Sequence, residues 1–339
     1  MSKKDLSVLK VKKNFKLDEQ SSLIYFNFKK TLNKTIKIKS FLVAVSGGPD
    51  SLALTALSQM YKMEKNNKVY FVLIDHGIRS NSTKEANLVK KLLIKKKINL
   101  SIIKNKEKIG KNIQNQARKI RYDLLLKFCK KKKIKYMLTA HHSEDQIETF
   151  FIRLSRGSGV QGLSSMSRIT KLKNDVKLLR PLLDLRKSDL LIIAKKAFGK
   201  IFKDPSNVNK KYLRTRIRSL KKKLETSGIK HDQIIKSINN LASTRDTLNK
   251  YTLKVEKSCV IKKNNKVYLK LKNLSEEPEE IVLRIIGNSI KYVSKNYYPP
   301  RSAKILNIIK KIKTKNDFKV TLGSCLITRK NQMLCLDSE

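Results

Sequence analysis

Phe41-Leu42-Val43-Ala44-Val45-Ser46-Gly47-Gly48-Pro49-Asp50-Ser51 is the stretch whose reading sets the fold. Five apolar residues predict a buried strand, and Ser46-Gly47-Gly48 predicts a tight turn behind it. Leu52, Leu54, Leu57 and Met60 follow among helix-compatible residues. Strand, glycine turn and helix form the opening half of a βαβ unit. The glycines allow a close turn with exposed backbone N–H groups, and the helix points its positive end at them. Ser46 and Ser51 add hydroxyl donors. Asp50 repels phosphate, so a bridging Mg2+ is its natural partner. The plainer reading is a strand-to-helix turn capped by Ser51 or Asp50. The six-residue pattern favours a nucleotide phosphate site, although it is neither a Walker A loop nor a dinucleotide-binding GxGxxG.

Further strands are predicted at 69–74, 98–103 and 134–139, with helices at 83–97 (capped by Ser82 or Thr83), 111–130 and 143–154. Strands separated by helices indicate an α/β fold: a parallel sheet with helices on both faces. Sites in such sheets gather beyond the C-terminal strand ends. There the sequence places Ser46 to Ser51, Asp75-His76 and His141 to Asp145. Residues 155–180, with Gly157, Gly159 and Gly162, read as a flexible loop. Residues 186–199 return to helix, and 219–250 read as a basic helix pair. A smaller α+β domain follows, with strands over 255–272, helices at 276–291 and 301–313, and a hairpin-like pair at 318–336. The expected division is a basic N-terminal extension (1–38), a nucleotide-binding domain (39–220), a basic linker (221–250) and a small C-terminal domain (251–339).

Composition narrows the partner. The 339 residues hold 78 Lys plus Arg against 27 Asp plus Glu, a formal charge of +51. That excess draws the chain to nucleic acid, although much of it lies in diffuse runs such as Lys95 to Lys97 and Lys130 to Lys133. With 40% hydrophobic residues the chain can still build a core. The four cysteines include no CxxC pair, so a zinc knuckle or iron–sulfur site lacks its local signature. No signal-peptide pattern and no membrane-length apolar run occurs, and the expected location is the cytoplasm.

His141-His142-Ser143-Glu144-Asp145-Gln146 lies at a strand end and enters a helix. Asp145 is placed to bind magnesium or orient an amine nucleophile, whereas a zinc helix would need a different spacing. Capping by Ser143 explains part of the segment, and Glu148, read against Glu144, faces solvent. Arg118 and Arg121 share a helix face with Asn115. In a lysine-biased chain their planar forks point to phosphate or carboxylate. Arg214, Arg216 and Arg218 stand out likewise, and their alternation suits an extended segment contacting a nucleic-acid backbone, with a loop or helix start left open.

Together these residues resemble the PP-loop ATPase group, and within it the tRNA(Ile)-lysidine synthetase family. The resemblance rests on Ser46 to Ser51, Asp75-His76-Gly77-Ile78-Arg79, Ala117-Arg118-Lys119-Ile120-Arg121-Tyr122 and Thr139-Ala140-His141-His142-Ser143-Glu144-Asp145-Gln146. Glu148-Thr149, Arg153 to Gly159, Arg180-Pro181-Leu182-Leu183, Asp204-Pro205-Ser206-Asn207 and Arg214 to Arg218 extend it. It is dense over 40–220 and weak at Thr321-Leu322-Gly323-Ser324-Cys325. Glu144 stands where the family usually has Asp, and the chain looks like a short form without the extra C-terminal domain of longer members.

The resemblance implies an adenine nucleotide alpha hydrolase-like fold and a two-step ligation. ATP adenylates C2–O of the wobble cytidine in the CAU anticodon of an isoleucine tRNA, and free L-lysine then displaces AMP to form lysidine. Implied roles are ATP binding by Ser46, Gly47, Gly48, Pro49, Asp50 and Ser51, and catalysis by Asp50, Asp145, Arg118 and Arg121. Asp75, His76, His141 and Arg153 are secondary candidates, Asp50 and Asp145 would hold Mg2+, and Arg214, Arg216 and Arg218 would bind tRNA. A homodimer is left open. The rival readings are another PP-loop tRNA-modifying enzyme, such as a thiolase, and a non-catalytic basic RNA-binding protein.

Overall fold

The computed structural model describes residue 15 and residues 18–36, 40–78, 81–107, 109–110, 113–202, 213–296 and 299–339. Arg79 and the Asp204 to Asn207 motif lie outside the described residues. Two compact units divide the chain between residues 240 and 241. The first contains α1 (Glu19–Thr35), β1 (Ser40–Val45), α2 (Pro49–Lys65), β2 (Lys68–Asp75), α3 (Ser82–Ile94), β3 (Leu100–Lys104) and α4 (Ile113–Lys131). It continues with β4 (Tyr136–Leu138), α5 (Ser143–Leu154), β5 (Ile169–Lys171), β6 (Lys177–Leu179), α6 (Lys187–Phe198) and α7 (Leu213–Thr226). Helix α8 (His231–Cys259) runs across the boundary.

A strand covered on both faces must be apolar at successive positions, and β1 obeys this. Phe41, Val43 and Val45 enter one core, and Leu42 enters the other. In β2, Phe71 and Leu73 join the first core while Val72 and Ile74 join the second. The first core is closed by α1, α2, α3 and α6 through Phe28, Leu57, Val89 and Ile193. Leu125, Leu126 and Cys129 of α4 close the second. Helix α2 is buried from Ser51 to Tyr61 without a break. At roughly 1.5–3 kcal/mol for each fully buried large aliphatic side chain, this makes α2 the anchor of the loop that precedes it.

The sheet order is β3-β2-β1-β4-β6-β5. The chain steps outward from β1 through β2 to β3, then crosses to β4 on the other side of β1, all in parallel. The switch point therefore lies between the C-terminal ends of β1 and β4, where an open α/β sheet has its crevice.

One expectation is corrected in this unit, and two segments are further defined. Residues 169–179, read as loop, form the β5–β6 antiparallel hairpin that ends the sheet. Its three-residue strands are too short to carry a pattern, and pairing with β4 holds them. Part of the basic extension is helix α1, whose Ile24, Phe28 and Leu32 are buried beneath lysines on the outer face. The segment with alternating arginines takes the helical alternative, with Arg214 in the first turn of α7, and is not extended.

The second unit is an antiparallel sheet with helices. Its strands β7 (Val260–Lys263), β8 (Lys266–Lys270), β9 (Phe318–Thr321), β10 (Cys325–Lys330) and β11 (Met333–Ser338) take the order β7-β8-β11-β10-β9. Helices α9 (Glu279–Ser294) and α10 (Ser302–Thr314) bury Ile285, Ile286, Ile305 and Ile308 with Leu269, Ile327 and Leu336. Residues 255–259, expected as strand, complete α8, and the expected hairpin over 318–336 is a three-stranded meander. Among the described residues no helix is long and apolar enough to cross a membrane.

Candidate active site

The loop after β1 turns at Gly47, whose φ is +84°. A Cβ there would lie 2.6 Å from Cγ2 of Val89 on α3, so glycine is required for both conformation and space. Gly48 is the N-cap of α2 and Pro49 is its first residue, where a missing N–H costs nothing. The neighbouring first-turn N–H groups have no intrahelical acceptor and face the crevice end. Ser51 Oγ accepts from the Ser46 N–H at 3.1 Å and donates to Gly48 O at 2.9 Å, while Ser46 Oγ donates to Ser51 Oγ at 3.1 Å. Ser51, expected as a phosphate donor or a cap, thus ties the loop shut on itself. Asp50 Oδ1 is buried and lacks a hydrogen-bond partner among the described residues.

Across the switch point, β4 delivers His141 to Asp145. His142, not Ser143, is the N-cap of α5, and its N–H donates to Asp145 Oδ2 at 3.2 Å. The ring is only 3% exposed. Its Nδ1 lies 3.0 Å from Glu144 Oε2, and its Nε2 lies 3.6 Å from Asp50 Oδ2 and 3.5 Å from Asp145 Oδ2. Burial opposes charge on this ring, but hydrogen bonds to Asp50 and Glu144 and the charge of Asp145 outweigh it and push its pKa up to about 10. Burial likewise opposes the Glu144 carboxylate, yet His142 and the Lys187 N–H (2.9 Å) bring it down to about 2. Glu144 therefore also caps α6, a task that suits the longer side chain.

His141 is surrounded by the opposite charge. Burial first, then Arg180, Arg118, Arg121 and Arg214, push its pKa well below the usual imidazole value and keep it neutral. Thr139 Oγ1 sits 2.9 Å from its Nδ1. Arg118 and Arg121 stand over the Tyr122 ring at 5.1 and 6.0 Å. Arg180 is buried and holds the β5 hairpin through Ser167 O (2.7 Å) and Thr170 Oγ1 (2.8 Å). Guanidinium groups from α4, from α7 and from Arg180 just after β6 converge here, which suits a polyanion. The site thus has an acidic half at Asp50, Glu144 and Asp145 and a basic half around His141.

Other expected residues are placed differently. Asp75 accepts from the Gly77 N–H (3.1 Å) and from Thr83 Oγ1 (2.6 Å), so Thr83 anchors the β2 end instead of capping α3. Burial and then Arg121 lower the pKa of His76. Arg153 donates to Gly162 O (2.6 Å) and Ser165 O (2.9 Å) and braces the small-residue loop. The three arginines of α7 do not act together: Arg214 joins the basic half, Arg216 is exposed, and Arg218 pairs with Glu148.

Glu148, expected to face solvent, is only 5% exposed. Its spacing of four residues from Glu144 and three from Asp145 was the signal, because both spacings share a helix face. Beside the Glu148–Arg218 pair lies a cavity of about 430 Å3, with Phe151, Leu191, Ile217 and Ile234 in its lining. Oδ2 of Asp50 and of Asp145 both face His142, while Asp50 Oδ1 is buried with no hydrogen-bond partner among the described residues.

Residues 21–224 match the family model of the PP-loop domain. The tRNA(Ile)-lysidine synthase of Wolbachia pipientis wMel is 37% identical over 304 residues, covering 88% of this chain and 70% of that protein. The tRNA(Ile)-lysidine synthase of Rickettsia bellii (strain OSU 85-389) is 31% identical over 323 residues, covering 94% of this chain and 74% of that protein. Among solved structures, a U34-tRNA thiolase from Methanococcus maripaludis with its iron–sulfur cluster superposes with a TM-score of 0.53 at 18% identity. It covers 66% of this chain and 80% of that one, and it speaks to the fold alone.

Proposed function

The chain belongs to the tRNA(Ile)-lysidine synthase family of PP-loop enzymes, ATP-dependent ligases of tRNA modification, and from that premise we propose that it joins free lysine to C2 of a wobble cytidine through an adenylated tRNA. The observation that carries the reading is the pairing of an acidic and a basic half at one switch point, with Asp50 and Asp145 within reach of a single imidazole. A reaction between a polyphosphate and an amine needs both halves.

In the first step the C2 oxygen of cytidine attacks the α-phosphorus of ATP and pyrophosphate leaves. Negative charge grows on the departing phosphates, where the first-turn N–H groups of α2 and the guanidinium groups of Arg118, Arg121 and Arg214 can take it. Neutral His141 offers a ring N–H to an anion without adding charge. Mg2+ fits this site because Asp50 offers one buried free oxygen and the ion commonly takes one or two carboxylates plus substrate phosphates; when bound, it supplies neutralising charge there. In the second step the lysine Nζ attacks C2, and AMP departs with the oxygen. Lysine is an ammonium ion at neutral pH, so Nζ must lose a proton first. Asp145 is the acceptor, since its carboxylate is oriented by the His142 N–H and lies beside Asp50.

In this reading the basic helix α7 and the second unit support the tRNA, and the reaction is cytoplasmic. The test is an assay with ATP, Mg2+, radiolabelled lysine and a CAU-anticodon isoleucine tRNA. Label should pass to the tRNA with equimolar AMP, and a transcript with uridine at the wobble position should take none. Asp145→Asn should abolish transfer while leaving the thermal transition in place. AMP release without lysine transfer would reject lysine as the nucleophile.

A further inference from the structure

We propose that the sheet of the second unit, on the face opposite α9 and α10, is a binding surface for unpaired RNA, with Tyr268 as the platform on which a base stacks. This rests on the reading of the second unit as support for the tRNA, and it names the surface and the form of RNA that the surface selects.

The register of the five strands places the residues. Val267, Leu269, Ile327, Leu334 and Leu336 point inward and are buried with the helices. Alternation sends their neighbours to the other face. One row there runs from β7 to β9 through Ile261, Tyr268, Cys335, Thr328 and Lys319. On one side of this row lie Lys263, Lys266 and Asp337, and on the other Lys270, Met333 and Lys330. Lys266 Nζ meets Asp337 Oδ2 at 2.6 Å, on the same face. Lys262, one residue out of step, stands over the Tyr292 ring of α9 at 4.9 Å, on the opposite face. Both contacts fit the alternation.

Five lysines thus surround one tyrosine, and Asp337 answers only one of them. Lys263, Lys270, Lys319 and Lys330 are exposed. Such a rim attracts any polyanion, so the centre of the patch decides which form is preferred. Ile261, Tyr268, Met333 and Cys335 stand outside the apolar cluster of this unit, and Ile261 is 44% exposed. An aromatic ring among aliphatic and sulfur neighbours gives a phosphate nothing, but it gives a base a face to stack on. The bases of a duplex are already stacked on one another, so a duplex meets the lysines alone. Lys266 and Lys270, two residues before and after Tyr268 on β8, can take the phosphates that flank a stacked base. Strands lie about 4.8 Å apart, so five of them span about 19 Å, room for several nucleotides.

The chain has no tryptophan, so Tyr268→Trp gives the full-length protein a single fluorescent reporter at this position. An oligouridylate of about 10 nucleotides should quench it, and an RNA duplex at equal phosphate concentration should not. Tyr268→Ala should bind the same oligonucleotide about 5- to 150-fold more weakly at fixed salt, the range for one lost base–aromatic stack. Tyr268→Leu, which keeps an apolar side chain in the sheet, should lose as much and serves if the alanine variant does not fold. Lys270→Ala with Lys330→Ala should reduce the salt slope by about 0.7 for each phosphate no longer neutralised. A reporter that oligouridylate leaves unquenched, equal quenching by the duplex, or a folded Tyr268→Leu that binds like wild type would overturn the proposal. Emission that follows protein concentration and not RNA would assign the face to a second copy of this chain and overturn it too. Protein that transfers lysine to tRNA while the reporter stays unmoved loses only this surface. Quenching without lysine transfer rejects the ligation reading and leaves the surface standing.

Discussion

Gly47→Ala separates the two demands that the nucleotide loop makes on its glycine. The first is conformational: at φ +84° an L-residue is strained by roughly 1–2 kcal/mol. The second is steric: the added Cβ would sit 2.6 Å from Val89 Cγ2, about 1 Å inside an ordinary carbon–carbon contact. Val89 is 3% exposed and cannot swing away, so the overlap adds roughly 1–3 kcal/mol as overpacking. The single variant should therefore lose about 2–5 kcal/mol in urea unfolding and at least tenfold in AMP release, since relief moves the loop. Val89→Ala alone should lose about 2 kcal/mol by cavity formation. In the double variant the steric share vanishes and the conformational share stays, so its loss should fall short of the sum by about 1–3 kcal/mol. Additivity within about 0.5 kcal/mol would refute the contact with Val89, and a neutral Gly47→Ala would refute both demands.

Three further outcomes are expected. Arg218→Leu strands the buried Glu148 and should cost roughly 2–4 kcal/mol, less than a fully buried pair because Arg218 is partly exposed; Glu148→Gln should recover part of this in the double variant, and full additivity would count against the pair. His141 is buried neutral, so unfolded chains take up a proton near pH 6.5 while folded chains resist until well below it. The unfolded state then binds more protons, and stability falls as pH drops below about 6.5; wild-type Tm should decline more than that of His141→Gln between about pH 7.5 and 5.5, and parallel curves would contradict the assignment. Arg214→Ala with Arg216→Ala should weaken tRNA binding and reduce the salt slope by about one for each phosphate no longer neutralised, and an unchanged slope would remove α7 from the tRNA surface.

How much of the site was legible follows from how local each signal is. The cradle was visible because a strand, two glycines and a helix start lie side by side, and each residue constrains its neighbour. His141 to Asp145 was visible for the same reason. Glu148 was not, because its partner Arg218 is 70 residues away and only α5 packing near α7 shows which face is buried. The arginines were conspicuous as residue types, yet α7 proved helical, and a helix puts Arg214 and Arg218, four residues apart, on one face and Arg216 on another.

By itself the sequence determined the α/β class, the parallel sheet and the two polar segments at strand ends, since apolar periodicity and glycine turns are short-range properties of the chain. The tertiary structure decided the rest. Switch-point topology brought Asp50 to His142 and collected arginines from α4, from α7 and from the end of β6 around His141. It also made the charge of each histidine a matter of surroundings, neutral among guanidinium groups at His141 and cationic among carboxylates at His142. Two adjacent and identical side chains have their pKa values moved in opposite directions because electrostatic energy depends on distances through space, which only the fold determines.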